Sequence, residues 1–502
     1  MNPRIRGLAI FVTVLYGLLF AKLNQIQVFG AADLNDRVDN SRKVARDFNR
    51  ERGIISSADG TVLARSVETG REDLRFQREY PTGDLFAHVV GAFSFAFGSD
   101  GLERRYSDQL SGRTSELQFP GLSVLWDDTP NVGDLTLTID AKVQQAAKDA
   151  LGQRKGSVVA IDPRTGAIRA LWSFPSYDPN LVATNDVAAA RAARELMDAS
   201  PDKPRLARSY RERYFPGSTF KVVTAGAGLE SGKVDDTRPT YPVERSFTPP
   251  LTSRPIANFD RSACGGTLPD LLRVSCNSSF ARMGSQTLGP DPMIDTAGRF
   301  GFNDIPPLDI DRGVVSVFPN DFGARVRAAE VAGDADVYEN TPALAQASIG
   351  QNDVSATPLQ MALVAAAVAN GGSIMTPYVV DRVTDPRGRV VERANETVWK
   401  SPLSPQNAAI LRADLLGVVA GGTAKGLATP GLEVGGKTGT AQLGTVPPRS
   451  HAWIIAFAGR PGGPAELAVA VIVEGQLGAS EQTGGRVAAP IAKAVIEAAV
   501  PR

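Results

Sequence analysis

Ala452–Ala458 reads AWIIAFA and Leu467–Glu474 reads LAVAVIVE, with the Gly- and Pro-rich stretch Gly459–Ala465 between them. Short continuous apolar runs bounded by Gly and Pro are the pattern of strands buried on both faces. The two runs predict adjacent antiparallel strands. A second pair lies far upstream. Ser157–Ile161 (SVVAI), a turn at Asp162–Gly166 and Ile168–Ser173 (IRALWS) predict a β-hairpin. Helical patterns and Pro-rich loops fill the middle, and Val487–Ala499 predicts a closing helix. Strands at both ends with helices between them assemble most economically into one sheet covered by helices, an α+β arrangement.

Composition narrows the chemistry. A chain of 502 residues predicts two or three domains. Lys plus Arg and Asp plus Glu both number 54, so there is no basic field to gather nucleic acid and no acidic tail to attract a charged partner. The histidines are His88 and His451, and the cysteines are Cys264 and Cys276. These four show no metal-ligand spacing, so a zinc site is not expected. Neither histidine lies in a hydrolase motif, and there is no G-x-S-x-G elbow, so a Ser-His-Asp triad is not expected either. Both histidines read as core packing.

The N-terminus carries a membrane signal. Arg4 and Arg6 precede the apolar run Gly7–Ala21, followed by Lys22 and the weaker stretch Leu23–Phe29. A span needs about 20 residues, and Lys22 can snorkel toward the far headgroups. The reading is a cytoplasmic tail at 1–6, one transmembrane signal anchor at 7–29, and everything beyond it extracytoplasmic in a cell membrane. A cleavable signal peptide is the alternative, for which Gly30-Ala31-Ala32 supplies small residues. Outside the cytoplasm, paired thiols oxidise, so Cys264 and Cys276 form a candidate disulfide, with two buried thiols as the alternative. Residues 30–145 are polar and broken by Gly turns. Gly53–Ile55 and Thr61–Ala64 predict strands around Asp59-Gly60, Leu135–Ile139 predicts another, and Asp140 caps a helix through Leu151. The texture changes after about 145, so a β-rich N-terminal domain at 30–145 and a larger domain at 146–502 are expected.

Three motifs carry chemistry. In Pro216-Gly217-Ser218-Thr219-Phe220-Lys221 the Pro and Gly mark a turn, and the apolar run after it predicts a helix. Lys221 then lies one helical turn beyond Ser218, on the same face. A serine hydroxyl is a poor nucleophile until a base takes its proton. With no suitable histidine, a neutral lysine must be that base, and burial and a neighbouring cation both keep a lysine neutral. Ser275-Cys276-Asn277 follows the predicted helix Leu268–Val274. It offers a hydroxyl to relay a proton and an amide to hold a substrate amide. Gly435-Gly436-Lys437-Thr438-Gly439-Thr440 supplies a second cation in Lys437, hydroxyls in Thr438 and Thr440 for a substrate carboxylate, and glycines that allow a substrate backbone to approach a strand closely. The backbone N–H groups of Ser218 and Thr440 could form an oxyanion hole. The first two motifs are weak alone.

Together, in the order S-x-x-K, S-x-N, K-T-G, the motifs form the signature of penicillin-binding proteins and serine β-lactamases. The chain resembles class B penicillin-binding proteins, most closely the actinobacterial penicillin-binding protein A type. Tyr177-Asp178-Pro179-Asn180, Ser348-Ile349-Gly350-Gln351 and Thr357-Pro358-Leu359-Gln360 resemble further family segments, as do Arg52-Gly53-Ile54-Ile55 and Gly101-Leu102-Glu103 with Tyr106 in the pedestal. Ser56 and Ser57 depart from the family's usual charged residues there.

The resemblance implies a five-stranded antiparallel sheet flanked by helices, beside an all-helical lobe, on an N-terminal pedestal. It also implies a cofactor-independent and metal-independent D,D-transpeptidase of peptidoglycan stem peptides ending in D-Ala-D-Ala. Ser218, Lys221, Ser275 and Lys437 would be catalytic, and Asn277, Thr438, Gly439 and Thr440 substrate-binding. β-Lactam antibiotics would acylate Ser218, and the membrane, a glycosyltransferase and division proteins would be its partners. A D,D-carboxypeptidase or β-lactamase, and a penicillin-binding scaffold without turnover, are the rival readings.

Overall fold

The computed structural model describes residues 3–25, 48–118, 131–326, 336–446, 449–476 and 483–501. The chain divides into two compact units, one comprising residues up to 51 with 66–77, the other 52–65 with 78–502. In the first, the 22-residue helix Pro3–Asn24 exposes its apolar side chains along its whole length. It is long and apolar enough to cross a membrane. The end of the expected 7–29 span, and Gly30-Ala31-Ala32, lie outside the described residues.

The second unit is built on a sheet of five strands: β1 (Gly156–Ile161), β2 (Ile168–Phe174), β3 (Glu433–Gln442), β4 (Ser450–Gly459) and β5 (Ala465–Val473). Their order is β3-β4-β5-β1-β2, and every neighbouring pair is antiparallel. The upstream hairpin thus adds to the edge of the downstream one. The residues of β1 are all buried, as are nearly all of β4 and β5, which is why these strands read as unbroken apolar runs. Helices Ala141–Leu151 and Ala489–Ala499 pack on each other and on the sheet, and the apolar helix Pro358–Ala369 packs on β5, β1 and β4. The Asp140 carboxylate accepts from the N–H groups of Lys142 and Val143, the expected cap.

Helices Lys221–Glu230, Leu268–Val274, Asn277–Arg282, Pro290–Arg299 and Thr341–Ala347 form the helical lobe. It also carries short two-stranded hairpins, including Tyr241–Glu244 with Cys264–Gly266. Cys264 and Cys276 are joined by a disulfide, with Cα atoms 5.8 Å apart.

The pedestal strands form a separate sheet. Ile55–Ser56 pairs antiparallel with the start of Val62–Glu68 and parallel with Asp134–Leu137. Sequence reasoning did not reach two further strands of this sheet, Val380–Thr384 and Val390–Arg393, which arrive from far downstream. Both are short, charged and partly exposed, so they carry little apolar signal.

Candidate active site

Ser218 sits in the 3-10 turn Gly217–Phe220, which runs directly into helix Lys221–Glu230. Pro216 and Gly217 set the turn up, and Gly217 adopts φ +53, where only glycine is comfortable. That turn lies against β3. A Cβ on Gly217 would meet the Thr440 carbonyl oxygen at 2.9 Å, and one on Gly439 would meet Thr219 Cγ2 at 2.9 Å and Pro216 O at 3.0 Å. The Trp453 indole N–H on β4 donates to Phe215 O at 3.0 Å, tying the start of the turn to the sheet.

The glycines of β3 were expected to admit a substrate backbone. The positions a side chain would take at these glycines are occupied by this chain: Phe457 faces Gly435, Leu427 faces Gly436, and Thr219, Pro216 and Trp453 face Gly439. Of the three, Gly439 lets the serine turn and the strand approach each other, whereas Gly435 and Gly436 make room for Phe457 and Leu427.

Lys221 is fully buried. Its Nζ donates to Ser275 O at 2.7 Å and to Asn277 Oδ1 at 2.6 Å, and lies 3.2 Å from Ser275 Oγ. Burial, reinforced by the positive Lys437 beside it, holds the Lys221 amine well below the ordinary lysine range. A neutral amine has two N–H donors and one lone pair. The two carbonyl-type acceptors take both donors, which leaves the lone pair to accept a hydroxyl proton. Lys437, also fully buried, donates to Ser275 Oγ at 2.8 Å and to Thr438 O at 3.0 Å. Burial lowers its pKa to about 7.

Ser275 therefore bridges the two lysines. It occupies the left-handed region at φ +61, at the junction of helices Leu268–Val274 and Asn277–Arg282. That conformation costs a non-glycine residue roughly 1 kcal/mol, and it turns both the carbonyl and the hydroxyl toward Lys221. A capping box on Thr267 and Asp270 fixes the start of the first helix. Asn277 is anchored from its other side by donating Nδ2–H to Ala257 O at 3.0 Å.

Lys221, Ser275, Asn277 and Lys437 are thus joined in one hydrogen-bonded cluster, although 162 residues separate Ser275 from Lys437. Half-buried Ser218 is one helical turn from Lys221, and Thr438, Gly439 and Thr440 lie along β3 beside the serine turn. Three contributors escaped the sequence reading. Thr423 accepts from the Thr438 hydroxyl at 2.7 Å, Trp453 ties down the turn, and the Phe280 ring lies 5.5 Å from Lys221 Nζ. A buried Trp within a strand was a usable signal; Thr423, in a loop, gave none. Each histidine has a backbone hydrogen-bond partner: His88 Nε2 lies 2.8 Å from Pro204 O, and His451 Nδ1 accepts from Gly475 N at 3.0 Å. Each stacks edge-on against a tyrosine, His88 on Tyr177 and His451 on Tyr214, and burial lowers the pKa of both to about 4.

The penicillin binding protein transpeptidase domain family matches residues 156–497, more than half of the chain. The chain belongs to the penicillin-binding protein transpeptidase family. Within it, the penicillin binding protein A dimerisation domain matches residues 52–134. This penicillin-binding protein is 39% identical to the peptidoglycan D,D-transpeptidase PbpA of Mycolicibacterium smegmatis, over 100% of this chain and 99% of that one. It is 36% identical to PbpA of Mycobacterium tuberculosis, over 100% and 99% of the two lengths. Among solved structures, it resembles penicillin-binding protein A from M. tuberculosis as its penicillin G acyl-enzyme complex, with a TM-score of 0.78 and 34% identity, covering 90% of this chain and 99% of that one. The family's transpeptidase fold accounts for the sheet and the helical lobe around the lysine cluster.

Proposed function

We propose that this chain is a peptidoglycan D,D-transpeptidase that works through a Ser218 acyl-enzyme and is acylated by β-lactams. Ser218 Oγ bonds to the carbonyl carbon of the penultimate D-Ala of a donor stem, and its proton passes to the Lys221 lone pair. The backbone N–H groups of Ser218 and Thr440 hold the oxyanion of the tetrahedral intermediate. The terminal D-Ala leaves as its nitrogen takes a proton through Ser275. Lys437, Thr438 and Thr440 hold the terminal carboxylate, Asn277 holds the stem amide, and Gly439 keeps β3 close to the serine turn. An amine from a neighbouring stem then attacks the ester carbonyl, its proton returns to Ser218, and the cross-link is made. Atoms and charges balance with no metal or organic cofactor.

The observation that carries this reading is Lys221: a fully buried amine whose two donors are committed to Ser275 O and Asn277 Oδ1, with Lys437 across the same serine. The Mycobacterium tuberculosis relative forms acyl-enzymes with penicillin G and with imipenem, and 34% identity over 90% of this chain supports the same chemistry here.

The domain organisation belongs to the same proposal. Residues 1–6 remain cytoplasmic, 7–29 cross the cell membrane, 30–145 form the pedestal and 146–502 the extracytoplasmic transpeptidase domain. Arg4 and Arg6 favour that orientation. A glycosyltransferase that makes the glycan strands, and proteins of cell division, are the partners this role implies.

The test is intact-mass detection of a penicillin adduct, mapped to the peptide carrying Ser218, followed by product analysis with donor and acceptor stems. An adduct at Ser218 with cross-linked product is expected. An adduct on another residue would overturn the nucleophile, and hydrolysis alone in the presence of acceptor would make the enzyme a carboxypeptidase.

A further inference from the structure

A hollow of about 490 Å³ lies between helix Gly101–Arg105 and the segment 305–312. None of its lining residues belongs to the lysine cluster or to β3. Its floor is apolar, contributed by Ile305, Pro306, Leu308 and Ile310. Its rim is cationic, carrying Arg104, Arg105 and Arg312 against the single carboxylate of Asp311. That carboxylate is already satisfied, because Arg104 pairs with it and Arg211 lies 3.2 Å away. Arg105 and Arg312 are exposed and make no ion pair among the described residues. Two guanidiniums therefore line the hollow with no carboxylate of this chain in ion-pair contact, among the described residues.

The walls are held in place before any ligand arrives. Asp311 Oδ2 accepts from Gly101 N at 3.2 Å, which links the two walls. The Asp309 carboxylate accepts from the N–H groups of Val379 at 2.7 Å and Val380 at 2.9 Å, and Leu308 N donates to Pro306 O at 2.8 Å. A preformed wall lowers the ordering cost of binding.

We propose that this hollow docks an acidic segment of a partner protein, with carboxylates on Arg105 and Arg312 and an apolar side chain on the floor. Guanidinium forks match carboxylates bidentately. A bare phosphate would use the arginines and leave the apolar floor exposed to water, whereas an Asp or Glu beside a Leu or Ile covers both. The proposal does not depend on the Ser218 chemistry.

The test pans a phage-displayed library of random dodecapeptides against the full chain in detergent, and compares binding to the double variant Arg105→Glu/Arg312→Glu. Peptides rich in Asp or Glu next to Leu or Ile are expected, with binding to the double variant weaker by about ten-fold or more. The single variant Arg312→Gln should give an intermediate loss. Labelling by a fluorescent penicillin reports the fold, and should be equal in all three proteins. Enriched peptides with no acidic bias, or a library yielding none that discriminates the variants, would overturn the proposal. Displacement of the peptides by inorganic phosphate at sub-millimolar concentration would reassign the hollow to a phosphate ligand and overturn it equally.

Discussion

In the proposed mechanism Lys221 and Lys437 have the same side chain and different roles, and the difference lies in what surrounds each amine. Burial depresses both, and the two charges repel each other across Ser275, which holds Lys221 well below the ordinary lysine range. Lys221→Met keeps much of the side-chain volume and removes the lone pair. It should slow penicillin acylation by about 10²- to 10⁴-fold, the range general-base catalysis supplies, while the protein stays folded by circular dichroism. Lys221→Arg should be as damaging, because a guanidinium stays protonated. Wild-type acylation in either variant would remove Lys221 from the mechanism. The pH dependence follows from the same pair. Raising pH through the depressed Lys221 pKa frees the base and switches acylation on. Raising it through about 7 removes the Lys437 proton and switches the carboxylate clamp off. The free-enzyme profile of kcat/KM should be bell-shaped, its alkaline limb near pH 7. A bound carboxylate raises the Lys437 pKa, so kcat at saturation should hold to higher pH. Stopped-flow acylation across pH checks this, and a kcat/KM that climbs steadily toward the ordinary lysine range would contradict the assignment of Lys437.

At the scale of elements, the decisive relation is that between the Ser218 turn and β3. The helix after Ser218, the strands and the Asp140 cap were all legible, because each is written in local periodicity or in a single capping residue. What β3 packs against was not, since the pattern Gly-Gly-Lys-Thr-Gly-Thr reads as room for a substrate backbone and carries no mark of the turn that Gly439 meets. Gly439→Ala tests that contact. Its methyl would meet Thr219, Pro216 and Trp453 at 2.9 to 3.0 Å, so β3 must shift a few tenths of an ångström from the turn. Acylation should fall about 10²-fold, since small misplacements of catalytic groups are that costly. Thermal stability should fall far less. Helix Pro405–Gly421, which packs on β3, offers a separate test. It buries Asp414, whose Oδ2 has no hydrogen-bond partner, and burial followed by the charge of Asp236 raises that pKa to about 7. A carboxyl whose folded pKa is raised penalises folding progressively as pH rises above its unfolded value, up to about 7. Asp414→Asn should therefore stabilise the protein by on the order of 2 kcal/mol at pH 8 and by less at pH 5. Equal effects at the two pH values would show that Asp414 is not titrating there.

Across the whole molecule, the site is a product of long-range closure. The residues of its three motifs could be named from the chain, but the joining of both lysines through Ser275 could not, because that depends on a left-handed residue between two helices and on a strand 162 residues away. The pedestal was legible in part for the same reason. Its upstream strands follow turn signals, whereas 380–393 reaches it only through the fold. Inside it, Glu103 is fully buried, accepting from Arg52 Nε at 2.6 Å and from Arg78 Nε at 2.7 Å. Burial pushes the Glu103 carboxyl up, and the two guanidiniums more than offset this, so its pKa lies below the usual value. Its charge then contributes stability above the unfolded pKa, and that contribution is lost as pH falls through the depressed one. Glu103→Gln would leave two buried guanidiniums facing a neutral amide. It should destabilise the protein by about 3–5 kcal/mol at neutral pH, read as a lower denaturation midpoint, with the deficit shrinking in acid where wild-type Glu103 is itself protonated. Penicillin acylation by the folded fraction should stay at the wild-type rate, because Glu103 makes no hydrogen bond to the serine turn or to either lysine. A replacement of all three residues by apolar side chains of matched volume should recover most of the loss, since removing every buried charge removes the desolvation penalty with it. If the triple variant is as unstable as Glu103→Gln while packing normally, the ion triad itself stabilises the pedestal, and the desolvation account fails.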